Sequence, residues 1–309
     1  MAIKKNIIKK VIGFLLLSPF LVYVINQILI SSEELRSYQI HLELHWMIVG
    51  VSLLVVANSI SCFLWHSVVC RLGVSMNFID AFYIWNISRL GRFIPGSVWQ
   101  FAGRMYLLKN FNKAIILWSM GIETAMELLS GFFCAGVGLF FLDKSVYLFS
   151  PNYFPYLIGV SLFLSFVLLH PNLMKRILSR ILDASNELET PKFSEMLKWF
   201  IFYVGTWVIQ ITAFWVIIHG IGVKIGWGYF AAIFTISCLL GLIAPFAPGG
   251  IGVREGVMIF LLSPFLGTGF SSLVSILTRV FGLTGEGITV ALSVLANLKT
   301  HKQWKKTEQ

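Results

Sequence analysis

Residues 244–256 read APFAPGGIGVREG, with two prolines, four glycines and the adjacent charges Arg254 and Glu255 inside an apolar region. Proline removes a backbone donor and clashes with the preceding helical turn, and glycine loses more conformational entropy in a helix than other residues do. A transmembrane helix is therefore expected to break here. Because hydrocarbon offers no hydrogen bonds to the freed backbone groups, broken helices at membrane depth occur where they face protein or a cavity. The stretch is thus interpreted first as a site.

The composition indicates a polytopic membrane protein. The chain is 57% hydrophobic and 12% charged, and its mean hydropathy is +0.81. A helix needs about 20 apolar residues to cross a hydrocarbon core of about 30 Å. The expected fold is all-α, with about six full transmembrane helices at roughly 11–30, 46–70, 114–142, 154–170, 199–220 and 270–298. Two further apolar regions, roughly 76–110 and 228–267, are broken by Pro and Gly.

The distribution of Lys and Arg predicts the orientation, because these residues are retained on the cytoplasmic side. If the six runs cross and each broken region returns to the side it entered from, most of the 24 Lys and Arg residues fall on one side. Both termini are then cytoplasmic, in a bacterial-type inner membrane. The net charge of +10 is explained by this orientation and by contact with anionic lipid. It gives no reason to expect a nucleic-acid partner.

Each broken region is expected to form a re-entrant hairpin. In the first, the limb from Ser97 to Leu108 is too short to cross, and Ser97 with Gln100 fits a capping box that starts a helix just after the turn. The two turns are expected at Pro95, Gly96 and Ser97 and at Pro245, Pro248, Gly249, Gly250 and Gly252.

The order of the elements repeats within one integral membrane domain, residues 1–309. A unit of span, broken region and span at 46–142 recurs at 199–298, after a cytoplasmic connector at 171–198 and before a basic cytoplasmic tail at 299–309. An odd number of crossings between the two units would invert one relative to the other. Inverted repeats with paired hairpins are typical of secondary transporters, whose half-helix ends meet near the membrane midplane.

Four charged residues lie within predicted spans. Glu123 and Glu127 are four residues apart and share one side of a helix, and Arg279 and Glu286 are seven apart and lie on nearly one face. Charges are costly toward lipid, so these side chains are expected to face the bundle interior, where Arg279 and Glu286 would pair or face the hairpins. The alternative is a buried charge network without a ligand role.

The candidate residues for a lipid head group lie near the two turns. Guanidinium groups suit phosphate because they donate two parallel hydrogen bonds and stay charged, and helix N-termini add unpaired N–H groups. The candidates are Arg89, Arg92, Arg104, Arg254 and Glu255. For the first three the alternative is cytoplasmic anchoring by snorkelling side chains. For Arg254 and Glu255 the alternative is a structural ion pair that locks the hairpin.

Enzymatic chemistry has little support in the sequence. The three aspartates are widely separated, the six histidines have no metal-ligand spacing, and there is no phosphate-binding Gly-Lys loop. The four cysteines lack paired spacing and are expected to be free thiols. We therefore expect no metal, no cofactor, no direct use of ATP and no enzymatic activity.

Two motifs carry a resemblance to a known family. They are RLGRFIPGSVWQ at 89–100, followed by Gly103 and Arg104, and APGGIGVREG at 247–256. At these residues, and over nearly its whole length, the chain resembles the family of the transmembrane region of lysylphosphatidylglycerol synthase, also called the flippase-like domain family. The resemblance implies lipid movement, since relatives translocate aminoacylated phospholipids or are implicated in moving hopanoids and other lipids. Some relatives add a soluble aminoacyltransferase domain. This chain reaches Gln309 without one, so lysyl transfer is not expected.

The sequence therefore favours a lipid flippase or transporter that moves an anionic phospholipid or a polyprenyl-phosphate-linked envelope precursor without ATP hydrolysis. Its expected partners are membrane lipids, and the oligomeric state is left open. The alternative is a non-transporting accessory protein that binds lipid or a glycosyltransferase partner in envelope or glycan assembly. A membrane-embedded transferase is the third hypothesis.

Overall fold

The computed structural model describes residues 43–94, 98–140, 190–244 and 247–307, with a few isolated positions between 159 and 176. Several predicted features lie outside the described residues, wholly or for the most part. They are the spans at 11–30 and 154–170, the part of the connector 171–198 at 177–189, the end of the tail, and the turn residues Pro95, Gly96, Ser97 and Pro245.

The described residues form helices and no strand, which confirms the all-α class. In chain order they are α1 Leu44–Arg71, α2 Phe78–Arg89, the 3₁₀ turn η1 Leu90–Phe93, α3 Trp99–Leu107, α4 Lys113–Leu139, α5 Phe193–His219, α6 Trp227–Ile243, the 3₁₀ turn η2 Pro248–Gly250 and α7 Val253–Thr307.

Four of the described helical segments are long and apolar enough to cross a membrane: Leu44–Arg71, Lys113–Leu139, Phe193–His219 and Pro248–Lys299. The first three coincide with the predicted spans at 46–70, 114–142 and 199–220. The fourth contains the predicted span at 270–298. The chain is thus a multi-pass membrane protein.

The remaining helical limbs are short. Helices α2 and α3 have 12 and 9 residues, and α6 has 17. Helix α7 changes direction at Gly267, whose φ of +74° is not helical, so its first limb covers 253–266. Each limb has fewer than the roughly 20 residues of a typical span. They form two broken pairs, α2 with α3 and α6 with the first limb of α7.

The long helices pack side by side and hold the broken pairs between them. Helix α1 lies along α5, α4 packs against α5 and α6, and α7 contacts α6, α1 and α2. The turns η1 and η2, one from each broken pair, are in direct contact. This contact brings the two regions that the sequence singled out to one place in the protein.

Gly250 is required where η2 crosses α6. Its φ is +71°, and a Cβ at this position would lie 2.9 Å from the backbone oxygen of Gly241. Gly250→Ala is therefore expected to lower the free energy of unfolding by about 1–3 kcal/mol. The matched control is Gly256→Ala, because that glycine lies in α7 with nothing within 4 Å of its added Cβ. The control should gain about 0.5–1 kcal/mol. Thermal unfolding in detergent measures both, and equal effects would contradict the close approach.

Candidate functional site

The first broken pair is fixed by a buried ion pair between Arg104 of α3 and Glu123 of α4. The Arg104 side chain is only 3% exposed. Its Nε also donates to Ser88 Oγ at 3.2 Å, and Trp85 Nε1 donates to the other Glu123 oxygen at 2.6 Å. The Arg104 guanidinium lies 4.4 Å from the ring centroid of Trp65. Four elements, α1 to α4, thus meet at one satisfied network.

A second ion pair joins η1 to the last helix. Arg92 Nη2 donates to Glu286 of α7, and each side chain is 24% exposed. The pair lies between α2, which ends at Arg89, and the second limb of α7. Arg92 thus links η1 to the second limb of α7. Its charge is balanced by the carboxylate.

A third group of contacts joins η2 to the same helix. Arg279 Nη1 donates to the backbone oxygen of Gly249 at 3.1 Å and lies 3.8 Å from Glu255 Oε1. The other Glu255 oxygen accepts from the N–H of Gly252 at 2.7 Å, which caps the start of α7. Glu255 thus pairs with Arg279 and not with its neighbour Arg254.

The second and third contact groups converge where η1 meets η2. The Arg279 guanidinium lies 5.7 Å from the ring centroid of Phe93 in η1. A Cβ added to Gly249 would lie 3.3 Å from both Phe93 Cδ1 and Arg279 Nη2. We call this region the junction and define it by Arg92, Phe93, Gly249, Arg254, Glu255, Arg279 and Glu286.

The junction contains hydrogen-bond donors that no described group uses. Nη2 of Arg254 and both Nε and Nη2 of Arg279 are buried without a hydrogen-bond partner. The Arg254 guanidinium lies 5.2 Å from the ring centroid of Phe234 and 5.8 Å from that of Phe214. Glu255 Oε1 also lacks a hydrogen bond, although Arg279 is nearby. Unpaired buried donors are costly, so the arrangement favours an anion with several acceptor oxygens.

A separate polar cleft lies against α4, and we call it the α4 cleft. It has room for about one water molecule. The Arg89 guanidinium in its wall lies 4.3 Å from the Trp85 ring centroid, and the Tyr203 hydroxyl is buried without a partner in the described structure. The lining residues are Ser61, Trp85, Arg89, Glu123, Glu127, Tyr203, Thr206, Trp207 and Gln210.

The structure divides the predicted site residues between these two places. Arg92, Arg254, Glu255, Arg279 and Glu286 belong to the junction, and Arg89, Glu123 and Glu127 line the α4 cleft, with Arg104 bound to Glu123. Sequence reasoning missed Phe93, Ser88 and Tyr203. A hydroxyl in an apolar span was the available signal for Tyr203 in α5. The described residues contain no group of three His, Cys, Asp or Glu that could hold a metal ion.

Comparison with known proteins gives one match. The sequence model of the family described as "Lysylphosphatidylglycerol synthase TM region" matches residues 10–285. No curated protein and no solved structure matches the chain.

Proposed function

Because the chain belongs to the lysylphosphatidylglycerol synthase TM region family, we propose that it moves an anionic lipid across the membrane without ATP hydrolysis. The lipid is an anionic phospholipid or a polyprenyl-phosphate-linked envelope precursor. The shared chemistry is a phosphate group on an apolar chain. The head group needs a polar path inside the protein, whereas the chains remain in the bilayer.

The unused guanidinium donors at the junction carry this proposal. Arg254 Nη2 and two donors of Arg279 are buried without hydrogen-bond partners among the described residues. A phosphate offers several acceptor oxygens to such donors, and charge-assisted bonds of this kind are among the strongest in proteins. The aromatic rings of Phe214, Phe234 and Phe93 beside the two arginines exclude water and strengthen that attraction.

The other arginines take different roles in this proposal. Arg104 and Arg92 are each balanced by a glutamate, Glu123 and Glu286. They hold the broken helices in place, and Arg92 reaches a phosphate only when its pair with Glu286 opens. Arg254, whose Nη2 is unpaired, is therefore the first head-group ligand. Arg279 is the second head-group ligand, because it lies in the same junction and its Nε and Nη2 donate to no described residue.

The proposed topology places the junction near the middle of the membrane. It has six spans, two re-entrant hairpins in an inverted repeat, and cytoplasmic termini. The short limbs of α2, α3 and α6 support hairpins that return, and the contact between η1 and η2 supports half-helix ends that meet. Separation of the two turns toward one leaflet and then toward the other would carry the head group across.

Reconstitution tests the proposal. The purified chain is placed in vesicles that carry a fluorescent phosphatidylglycerol, and a membrane-impermeant quencher reports the fraction of lipid in the outer leaflet. The chain should speed exchange between leaflets above the rate in protein-free vesicles. An unchanged rate, with the protein folded and inserted, would contradict transport and favour the accessory role.

A further inference from the structure

Glu127 differs from the other glutamates of the broken-helix region. Glu123, Glu255 and Glu286 each have an arginine partner. The Glu127 carboxylate makes no hydrogen bond and no ion pair with any described residue, although its backbone oxygen accepts from Trp207 Nε1 at 3.1 Å. A carboxylate without a donor is costly to keep charged inside a membrane protein, and such residues mark ion or proton pathways.

The charged and titratable groups near Glu127 come from α2, η1, α4, α5, α6 and α7, and they are mixed in charge. Tyr203 of α5 offers a hydroxyl that is itself buried without a partner, and Glu123 lies one turn earlier on α4. The titratable and charged groups close enough to interact electrostatically with Glu127 are Arg89, Arg92, Glu123, Tyr203, Cys238 and Glu286. Arg92 and Glu123 already have ion-pair partners. Arg89 is therefore the charged group that is left to neutralise the Glu127 carboxylate.

Arg89 is the second unpaired charge of the α4 cleft. Its guanidinium lies 4.3 Å from the ring centroid of Trp85, and no ion pair joins it to the described part of the chain. A small movement within the cleft that both residues line would allow Arg89 and Glu127 to pair. Glu127 thus has two alternative partners, namely a proton bound to its own oxygen or the guanidinium of Arg89.

The size and charge of the α4 cleft favour a proton over a metal cation. The cleft has room for about one water molecule, and a metal ion needs several oxygen ligands around it. The positive charge of Arg89 in the wall opposes a second cation, whereas a proton simply forms an O–H bond with the carboxylate. A proton is therefore the ligand that the cleft can take.

We propose that Glu127 binds and releases the proton that drives lipid movement, exchanging that proton for Arg89. The inference rests on the proposed transport function and names its energy source. On release the O–H bond of the Glu127 carboxyl breaks, the proton passes to water on one side of the membrane, and the carboxylate pairs with Arg89. Proton uptake from the other side frees Arg89 again.

The position of Arg89 links this exchange to the junction. Arg89 is the last residue of α2, and η1 begins at the next residue, Leu90. Turn η1 contacts η2, so a shift of Arg89 toward Glu127 moves one side of the junction relative to the other. The protonation state of Glu127 therefore biases whether the head-group site is closed or open.

A pH gradient across the vesicle membrane tests the inference. Vesicles with the full chain and fluorescent phosphatidylglycerol receive a gradient of one pH unit, and the leaflet ratio is measured at steady state. One coupled proton should move this ratio by up to about tenfold. Glu127→Gln, which keeps the shape of a neutral carboxyl, should leave the ratio unchanged by the gradient. Glu43→Gln is the control, because Glu43 is exposed at the start of α1. The pH gradient should change the leaflet ratio of this variant as much as that of the wild type.

The outcomes separate the coupling from the transport itself. Wild-type vesicles that exchange lipid but ignore the pH gradient, or respond instead to a sodium gradient, would overturn the proton site and leave the transport function standing. A Glu127→Gln response equal to that of the wild type would overturn it as well. If no lipid moves at all, infrared spectra of the inserted protein test whether Glu127 binds a proton. A protonated-carboxyl band that appears on acidification and is lost in Glu127→Gln supports the site, and an unchanged band overturns it.

Discussion

Replacing Arg104 by alanine is expected to lower the free energy of unfolding by about 3–5 kcal/mol, because it strands a buried carboxylate. The Arg104 side chain is 3% exposed and its partner Glu123 is 12% exposed. The substitution also removes the contact with Ser88 Oγ at 3.2 Å and the packing over Trp65. Chemical or thermal unfolding of the purified chain in detergent measures the loss.

A more solvent-accessible ion pair provides the matched control. Arg71 and Glu195 join the end of α1 to the start of α5 at 2.7 Å, with side chains 33% and 29% exposed. Arg71→Ala should cost about 0–1 kcal/mol. The double variant Arg104→Met with Glu123→Gln should recover most of the loss, because it removes both charges and keeps an acceptor for Trp85 Nε1. Equal losses for the Arg104 and Arg71 variants would contradict the network.

Arg254→Ala is expected to slow exchange of an anionic lipid between leaflets by about tenfold to hundredfold. Charge-assisted hydrogen bonds contribute about 1.5–3 kcal/mol each, and 1.4 kcal/mol corresponds to a factor of ten. Stability should fall by no more than about 1–2 kcal/mol, because the substitution removes the contacts with the Phe214 and Phe234 rings but no ion pair with a described residue. The measurement pairs the exchange rate in vesicles with an unfolding midpoint in detergent.

Two further variants separate charge from geometry at this position. Arg254→Lys keeps the charge without the planar pair of donors. Its lipid exchange rate should lie between those of the wild type and the alanine variant. Lys224→Ala removes an exposed positive charge between α5 and α6, and its exchange rate should equal that of the wild type. A joint loss of stability and exchange in Arg254→Ala would assign Arg254 a structural role instead.

Hydrophobic length and helix-breaking residues were sufficient to predict much of the fold. The apolar runs at 46–70, 114–142 and 199–220 predicted α1, α4 and α5 to within a few residues. Proline and glycine predicted the break before Val253, where α7 begins. Helix lengths and helix breaks depend on neighbouring residues, so they can be predicted from a single sequence. The contact between η1 and η2 joins residues far apart in the chain, and no spacing rule could predict it.

The partners of the charged residues show the same limit. Helical spacing placed Glu123 and Glu127 on one side of α4, yet only Glu123 meets an arginine, Arg104. Spacing also placed Arg279 and Glu286 on one face, but their partners, Glu255 and Arg92, come from the two broken pairs. Periodicity predicts the face on which a side chain lies. Tertiary packing decides which residue it meets.

The most direct measurement is cross-linking of a lipid within the membrane. An anionic phospholipid with a photoreactive group beside its phosphate is incorporated with the wild-type chain, irradiated, and the labelled residues are identified by mass spectrometry. We expect labels in residues 247–256 and around Arg279, reduced by excess unlabelled anionic lipid. Labels confined to outward-facing residues such as Val56, Phe202 and Phe260 would contradict passage of the head group through the junction.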